Sequence, residues 1–216
     1  MLISGTRIVA REDALASGLG MPRLMNGILS LDRRCYRDDD PLDIGSIETW
    51  LPIFDSWPDT WRALVTNGKV VGYWQIAPLK PVAFDAMLAG RAGVRDLREQ
   101  DYEDLAIPGR YPVYFVSVCL DETARTTAHQ FALVSSFMRV RAGLASRGVF
   151  FDRVAAHVHS PEGRRLCEVL GLQPATGTGF QRPLFTGSLD HALRSFKGQL
   201  AERCFDSRTE PAALAA

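Results

Sequence analysis

The feature that most restricts the fold of this chain is a strand-like segment, residues 111–120, which leads through a polar joint into a long helix pattern. Aromatic and β-branched residues dominate its sequence, YPVYFVSVCL, and this composition predicts a buried strand. The joint covers residues 121–127, and apolar residues then recur at helical spacing over residues 128–146. The predicted inward face of this helix consists of Phe131, Val134, Phe137, Met138, Arg141 and Ala142.

A second strand pattern and a second helix pattern follow. Residues 149–158 form the strand pattern, and Ser160-Pro161 begins a short helix that ends at Gly171. Read together, these segments follow the order strand, loop, helix, strand, helix. The free amides and positive dipole end of the long helix would lie over the end of the first strand, where a phosphate is a suitable ligand.

Other segments supply the remaining elements. Asn67-Gly68 between two apolar runs, 61–66 and 69–79, predicts a tight β-hairpin. Ser46, with Glu48 in the following turn, predicts the start of a helix. The other predicted elements are a strand at 2–10, two short helical pieces within 11–31, a helix at 84–97, a loop at 173–179, a strand at 180–186 and a helix at 188–205.

Composition excludes several classes of protein. The 216 residues fit one domain, and 25 basic residues balance 25 acidic ones, so neither nucleic acid nor an anionic membrane is expected as a partner. The four cysteines form no CxxC pair, and the adjacent Asp38, Asp39 and Asp40 are expected to face water, so we expect no metal. Neither a signal-peptide pattern nor a membrane-spanning run is present, which favours a cytoplasmic location.

Residues 125–130 (RTTAHQ), together with Ser160, Gly163 and residues 167–172 (CEVLGL), resemble the two signatures of the GNAT N-acetyltransferase superfamily. Members carry R/Q-x-x-G-x-G/A between strand and helix, and later an Asn, a small residue and a Tyr-containing helix end. Here Ala128 and Gln130 stand at the glycine positions, Ser160 at the asparagine and Cys167 at the tyrosine. The resemblance is close over residues 111–172 and loose before them.

The resemblance implies a three-layer fold of α/β (α+β) class, with a mixed, twisted sheet of about six to seven strands flanked by helices. It implies one domain over residues 1–205, with a helical insertion at about 80–110, before a flexible tail at 206–216. The insertion fits a lid, an acceptor-binding element or a dimer contact equally well. The oligomeric state also stays open, although GNAT proteins often form homodimers.

The implied function is acyl-coenzyme A-dependent N-acyl transfer, with acetyl-coenzyme A or another acyl-coenzyme A as co-substrate and an unidentified small-molecule or peptide amine as acceptor. The alternative is a catalytically silent binding or regulatory module that has kept the fold. The cofactor-binding candidates are Val118, Cys119 and Leu120 at the pantetheine arm, Arg125, Thr126, Thr127, Ala128, His129 and Gln130 at the diphosphate, and Ser160.

The catalytic candidates are Glu122, His157 and Cys167. Glu122, beside Asp121, follows the central strand, while His157 shares a strand face with His159, and each of these groups can accept a proton. Cys167 stands where many members use a tyrosine to protonate the departing thiolate. For each candidate a purely structural role remains open: His157 as a packed side chain, Cys119 and Cys167 as small buried residues, and Arg125 as part of an exposed loop.

Overall fold

The computed structural model describes residues 5–36, 45–175 and 183–189. Three predictions fall wholly or mostly outside these ranges: the acidic loop at 38–40, the helix at 188–205 and the tail at 206–216. The C-terminal limit of the predicted domain therefore stays a prediction.

The described elements follow the predicted order. The helices are α1 (Arg11–Ala16), α2 (Met21–Cys35), α3 (Ile47–Ser56), α4 (Pro81–Leu88), α5 (Thr127–Ser146) and α6 (Pro161–Val169). The strands are β1 (Thr6–Val9), β2 (Trp61–Thr66), β3 (Lys69–Pro78), β4 (Gly109–Leu120), β5 (Val149–His157), β6 (Gln173–Pro174) and β7 (Leu184–Gly187). Short 3₁₀ turns occupy Pro58–Thr60, Val94–Asp96, Glu99–Asp101 and Glu122–Ala124.

The strands form one mixed sheet in the order β1-β2-β3-β4-β5-β7-β6, which confirms the predicted fold class. β4 and β5 are parallel, and the other described neighbours are antiparallel. A parallel pair needs a crossover connection, and α5 provides it. The carboxyl ends of β4 and β5 therefore lie at the same edge of the sheet.

Helices cover both faces of the sheet and enclose two hydrophobic cores. Residues from α2, α3 and α4 pack on one face, where Phe54, Trp61 and Phe84 are almost completely buried. Residues from α5 and α6 pack on the other face around Trp74 and Phe151. The buried sheet is therefore the middle of three layers.

The predicted hairpin is confirmed to the residue. β2 ends at Thr66 and β3 begins at Lys69, and both turn residues have positive φ angles, 51° at Asn67 and 76° at Gly68. Such a turn matches the twist of the strands that it joins. The predicted helix start at Ser46 is also confirmed, since Ser46 is the N-cap of α3.

Four details of the prediction were wrong. The second of the two predicted short helical pieces is a long helix, α2, which continues to Cys35. Residues 173–174 form a short strand, whereas a loop was predicted there. α4 ends at Leu88, since Gly90 adopts a positive φ of 67° that stops the helix. The predicted face of α5 is rotated: the helix buries Ala132, Leu133, Ser136 and Phe137, whereas Phe131 is 54% exposed. The inward face includes polar residues, which hid its true direction.

The insertion at residues 80–110 lies at the opposite end of the sheet from the carboxyl ends of β4 and β5. It joins the end of β3 to the start of β4, and Leu79 bridges to Tyr102. Its side chains Phe84, Met87, Leu97 and Tyr102 are buried in the α2–α3 core. Within the described ranges, no helix is long and apolar enough to cross a membrane.

Candidate active site

A β-bulge in β4 opens the sheet. Gln75 of β3 pairs with Ser117 of β4, while the next residue, Ile76, pairs with Phe115, so Val116 is an extra residue on β4. An extra residue bends its strand and increases the local twist. The pairing of β4 with β5 also ends here, at Phe115 with Ala156. Beyond Phe115, β4 stays paired with β3 and separates from β5.

The separation leaves main-chain groups of β4 without a strand partner in the part of the chain that the structure describes. The amide of Asp121 donates to the carbonyl of Val71 at 2.7 Å, which fixes the direction of every second peptide in this antiparallel pair. The amides of Val118 and Leu120 therefore point away from β3, into the opening. The amide of Cys119 points at β3, so the main-chain role expected for Cys119 does not fit the strand geometry.

The opening is a cleft of about 160 Å3 between the ends of β4 and β5. Its walls come from β4, from β5 and the residues that follow it, from α6, and from the end of α2. The lining residues are Cys35, Tyr36, 115–120, Arg125, 156–160, Gly163, Leu166, Cys167, Leu170 and Leu172.

Two helix N-termini meet near the mouth of this cleft. Thr126 caps α5 by accepting a hydrogen bond from the amide of His129 at 3.2 Å, and Ser160 caps α6 by accepting one from the amide of Gly163 at 3.0 Å. The amides of Thr127 and Ala128, at the first turn of α5, have no acceptor among the described residues. Helix N-termini carry partial positive charge and free N–H groups, and these favour an anion.

Arg125 adds a full positive charge at this position. It is exposed, lines the cleft and acts on Glu162 at the start of α6, whose pKa it helps to lower, after larger contributions from the Glu162 amide and Ser160. This arginine and the two helix ends together form a cationic mouth suitable for phosphates.

His157 ends β5 inside the cleft. Its Nδ1 and the hydroxyl of Tyr114 share a hydrogen bond of 2.6 Å. Burial raises the pKa of Tyr114, so its hydroxyl stays protonated and holds the imidazole ring in one orientation. The ring of His159 contacts the ring of Tyr36 edge-on, with centroids 5.1 Å apart. The predicted pair of histidines thus reaches the cleft, held by two tyrosines.

Cys167 lies on α6, lines the cleft and is only 6% exposed. Burial raises the pKa of its thiol to about 11. The thiol therefore stays protonated at neutral pH, which suits a proton donor and opposes a role as thiolate nucleophile.

The structure brings together seven of the thirteen predicted site residues in the cleft: Val118, Cys119, Leu120, Arg125, His157, Ser160 and Cys167. The other six, Glu122, Thr126, Thr127, Ala128, His129 and Gln130, lie beside the mouth and do not line it. Gln130 is exposed and leaves the cleft open, while His129 is buried and donates its Nδ1 hydrogen to the carbonyl of Ala124 at 2.6 Å.

Sequence reasoning missed the end of α2, where three consecutive residues contact β4 or Asp121, the residue that follows it. Arg34 forms an ion pair with Asp121 (2.8 Å), Cys35 Sγ lies 3.9 Å from the carbonyl of Leu120, and the hydroxyls of Tyr36 and Ser117 are 2.9 Å apart. We call these three contacts the α2–β4 clip. No periodic pattern could reveal it, because each contact joins residues more than eighty positions apart.

Asp121 is the negatively charged member of the clip. Hydrogen bonds from Thr123, together with the contact with Arg34, lower the pKa of Asp121. The carboxylate is therefore fixed to its neighbours and does not line the cleft. Among the described residues, no group of three or more His, Cys, Asp or Glu side chains could hold a metal ion.

No protein-family model and no curated protein matches this sequence. Solved structures do match. The loading GNATL domain of CurA from Lyngbya majuscula has a TM-score of 0.56 at 11% identity, covering 86% of this chain and 98% of that chain. The GphF GNAT-like decarboxylase in complex with isobutyryl-CoA has a TM-score of 0.52 at 14% identity, covering 85% and 99%. An acetyltransferase from Streptococcus agalactiae 2603 has a TM-score of 0.51 at 14% identity, covering 86% and 99%. At these identities the likeness establishes the fold.

Proposed function

From the GNAT fold of this chain, we infer that its cleft binds an acyl-coenzyme A and that the protein transfers the acyl group directly to an amine. The observation that carries this proposal is the opening between β4 and β5, with its free main-chain amides, beside a cationic mouth. A coenzyme A thioester has a phosphate-bearing end and a long pantetheine arm that contains amide groups. The cationic mouth suits the phosphates, and the opening beside the amides of β4 suits the arm.

Each end of the ligand has specific partners in the proposal. Arg125 and the amides of Thr127 and Ala128 hold the diphosphate. The amides of Val118 and Leu120 bind the arm and polarise the thioester carbonyl, where negative charge develops during attack. Phe115, Leu166 and Leu170 provide apolar contact along the cleft.

The chemical step needs one base and one acid. The amine nitrogen forms a bond with the acyl carbon, and the carbon–sulfur bond breaks. In the tautomer whose Nδ1–H donates to the Tyr114 oxygen, Nε2 of His157 accepts the proton that the amine loses. Cys167 donates its proton to the departing thiolate and recovers one from solvent. Glu122 is exposed outside the cleft, which makes it a weaker candidate base than His157.

Ligand binding can be tested without knowing the amine. Acetyl-coenzyme A and isobutyryl-coenzyme A should each raise the melting temperature, and Arg125→Glu should abolish the shift by reversing the charge at the mouth. Arg139→Glu, on the exposed side of α5, is the matched control and should keep the shift. If no short acyl-coenzyme A stabilises the wild-type protein, the proposal is wrong.

Turnover requires a screen of amines, with product detected by mass spectrometry. His157→Gln should lower the rate at neutral pH while leaving acetyl-coenzyme A binding intact, because it removes the base and keeps the side chain polar. Cys167→Ser should lower the rate less, since water can protonate a thiolate. If both variants retain the wild-type rate, the catalytic roles assigned to His157 and Cys167 are wrong, whereas the binding proposal is unaffected.

A silent binding module is the second candidate, and the first turn of α5 favours it. The amide of His129 already donates to the side chain of Thr126, so two free amides remain in the first turn of α5 among the described residues. In addition, Ala128 and Gln130 replace the glycines that are typical of the loop. Stabilisation by acyl-coenzyme A with no product from any amine would support this candidate. Any product that disappears in Arg125→Glu would exclude it.

A further inference from the structure

Every cysteine that the structure describes lines the same cleft. Cys35 ends α2, Cys119 lies in β4 beyond the bulge, and Cys167 lies on α6. All three are free thiols. Their wide separation in sequence gives no hint of this convergence, and the acyl-transfer proposal uses only one of them.

Two of these cysteines lie side by side in the fold. The thiol of Cys35 lies 3.9 Å from the carbonyl of Leu120, the residue after Cys119. Cys119 is buried in the α2–α3 core and shares a face of β4 with Ser117, which the Tyr36 hydroxyl contacts from the end of α2. The flanking clip contacts, Arg34 with Asp121 and Tyr36 with Ser117, hold the main chain on both sides of Cys35. The position of Cys35 beside this part of β4 is therefore fixed by the end of α2.

The pair has an accessible member and a protected member. Cys35 is exposed at the cleft, whereas Cys119 is only 4% exposed. Interaction with the neighbouring Cys119 thiol lowers the pKa of Cys35, with a smaller contribution from Arg34, while burial, Asp32 and Asp121 act in the opposite direction. The same interaction and burial raise the pKa of Cys119. Thiolate character and access both make Cys35 the reactive sulfur.

We propose that Cys35 and Cys119 form a reversible dithiol–disulfide pair that low-molecular-weight disulfides oxidise. The Cys35 thiolate attacks one sulfur of the small disulfide, a Cys35–sulfur bond forms, and the first small thiolate leaves. The Cys119 sulfur then attacks Cys35 Sγ, and the second small thiolate leaves. The two protein thiols lose two electrons and two protons, which reduce the small disulfide to two thiols.

The resulting bond would lie in the wall of the cleft. It would join the end of α2 to the part of β4 that has left β5, between the contacts of Tyr36 and Arg34. Oxidation would therefore tie the two walls together by a covalent bond and remove the hydrogen bond from Cys35 to Leu120. This modification site is independent of whether the cleft transfers acyl groups.

The experiment is treatment of the reduced full-length protein with oxidised glutathione, followed by non-reducing peptide mapping with mass spectrometry. The expected product is two hydrogen atoms lighter than the reduced protein and yields one crosslinked peptide that joins Cys35 to Cys119. Cys119→Ser should instead retain one glutathione on Cys35, because no thiol remains to displace it. Cys35→Ser should gain neither the glutathione adduct at this position nor the crosslink.

Cys167→Ser combined with Cys204→Ser is the matched control and should form the crosslink as fast as the wild type. A persistent glutathione adduct on Cys35 in the wild-type protein would overturn the proposal, and so would a crosslink from Cys35 to Cys167 or Cys204. The wild-type map alone decides these outcomes, so a variant that fails to fold does not affect them. In urea, oxidised glutathione should no longer favour the Cys35–Cys119 crosslink over crosslinks between other cysteines, because the clip no longer holds Cys35 and Cys119 together.

Discussion

Asp32 is a buried acid whose ionisation opposes folding. It is 8% exposed on α2, and the hydroxyl of Tyr73 donates to both of its carboxylate oxygens, at 2.7 and 2.8 Å. Burial raises its pKa to about 7, although the Tyr73 hydrogen bond and Arg33 act in the other direction. Within the described ranges, Tyr36, Cys35 and Cys119 are further titratable groups that interact with it.

The sign of the pH effect follows from this shift. The folded protein keeps the Asp32 proton between about pH 4 and about pH 7, where the unfolded chain has lost it. The free energy of unfolding should therefore fall as pH rises through this window, by roughly 4 kcal/mol at most from this one group. Asp32→Asn should remove this part of the slope in urea denaturation curves measured at pH 5, 6, 7 and 8. Equal slopes in the wild type and the variant would contradict the assignment.

Gly72 is required at the point where β3 pairs with the end of β4. A Cβ there would lie 2.8 Å from the Leu120 side chain, 3.0 Å from the Leu133 side chain and 3.1 Å from the carbonyl of Cys119. Gly72→Ala should therefore destabilise the fold by about 1–3 kcal/mol, measured by urea denaturation.

Gly143→Ala is the control for this substitution. Gly143 lies within α5, and a Cβ added there would meet no described atom within 4 Å beyond the adjoining backbone of its own helix. Alanine there should stabilise the helix by about 0.5–1 kcal/mol. Equal effects at the two glycines would show that crowding at Gly72 is relieved by movement of the leucines.

At the scale of elements, a buried hydrogen bond joins α5 to the centre of the sheet. The indole Nε1 of Trp74 donates to the hydroxyl of Ser136 at 2.7 Å, and both residues are buried. Ser136→Ala should cost about 1–3 kcal/mol of unfolding free energy, because it leaves a buried indole N–H without an acceptor. Ser135→Ala, one position along the same helix, should change stability by less than about 0.5 kcal/mol. If Ser135→Ala lowers the unfolding free energy as much as Ser136→Ala, or more, the result contradicts the hydrogen bond between Trp74 and Ser136.

The divergence of β4 from β5 should be visible in amide hydrogen exchange. The amides of Ser117 and Cys119 point at β3 and should be protected, whereas those of Val118 and Leu120 face the cleft and should exchange faster. Acetyl-coenzyme A should slow the exchange of Val118 and Leu120 under the proposed binding mode. Uniform protection along residues 117–120 would mean that the cleft is closed in solution.

The elements that sequence reasoning placed correctly were those with local signals. Asn67-Gly68 marked the hairpin and Ser46 marked a helix start because the turn and the cap each involve only adjacent residues. The face of α5 was wrong because its buried positions include His129 and Ser136, polar residues that an apolar pattern leaves out. The clip was missed because its partners lie far apart in the chain. The role of Val116 was missed because a bulge depends on the register of the neighbouring strand.

At the scale of the whole molecule, the two cores share the same strands and should unfold together. In β3, Tyr73 packs into the α2–α3 core and Trp74 into the α5–α6 core, so neither core can be lost without disturbing the strand between them. Tryptophan fluorescence and far-ultraviolet circular dichroism should therefore give the same urea midpoint. Separate midpoints would mean that one layer detaches first.

Val116 also sets which way the last part of β4 faces. Tyr114 and Ser117 are three positions apart, yet both reach the α2 side of the sheet, because the extra residue shifts the alternation by one step. Deleting Val116 would restore strict alternation, turn Ser117 and Cys119 toward α5 and let β4 continue along β5. A single inserted residue thus divides an otherwise uninterrupted β-sheet and creates the space between its two halves.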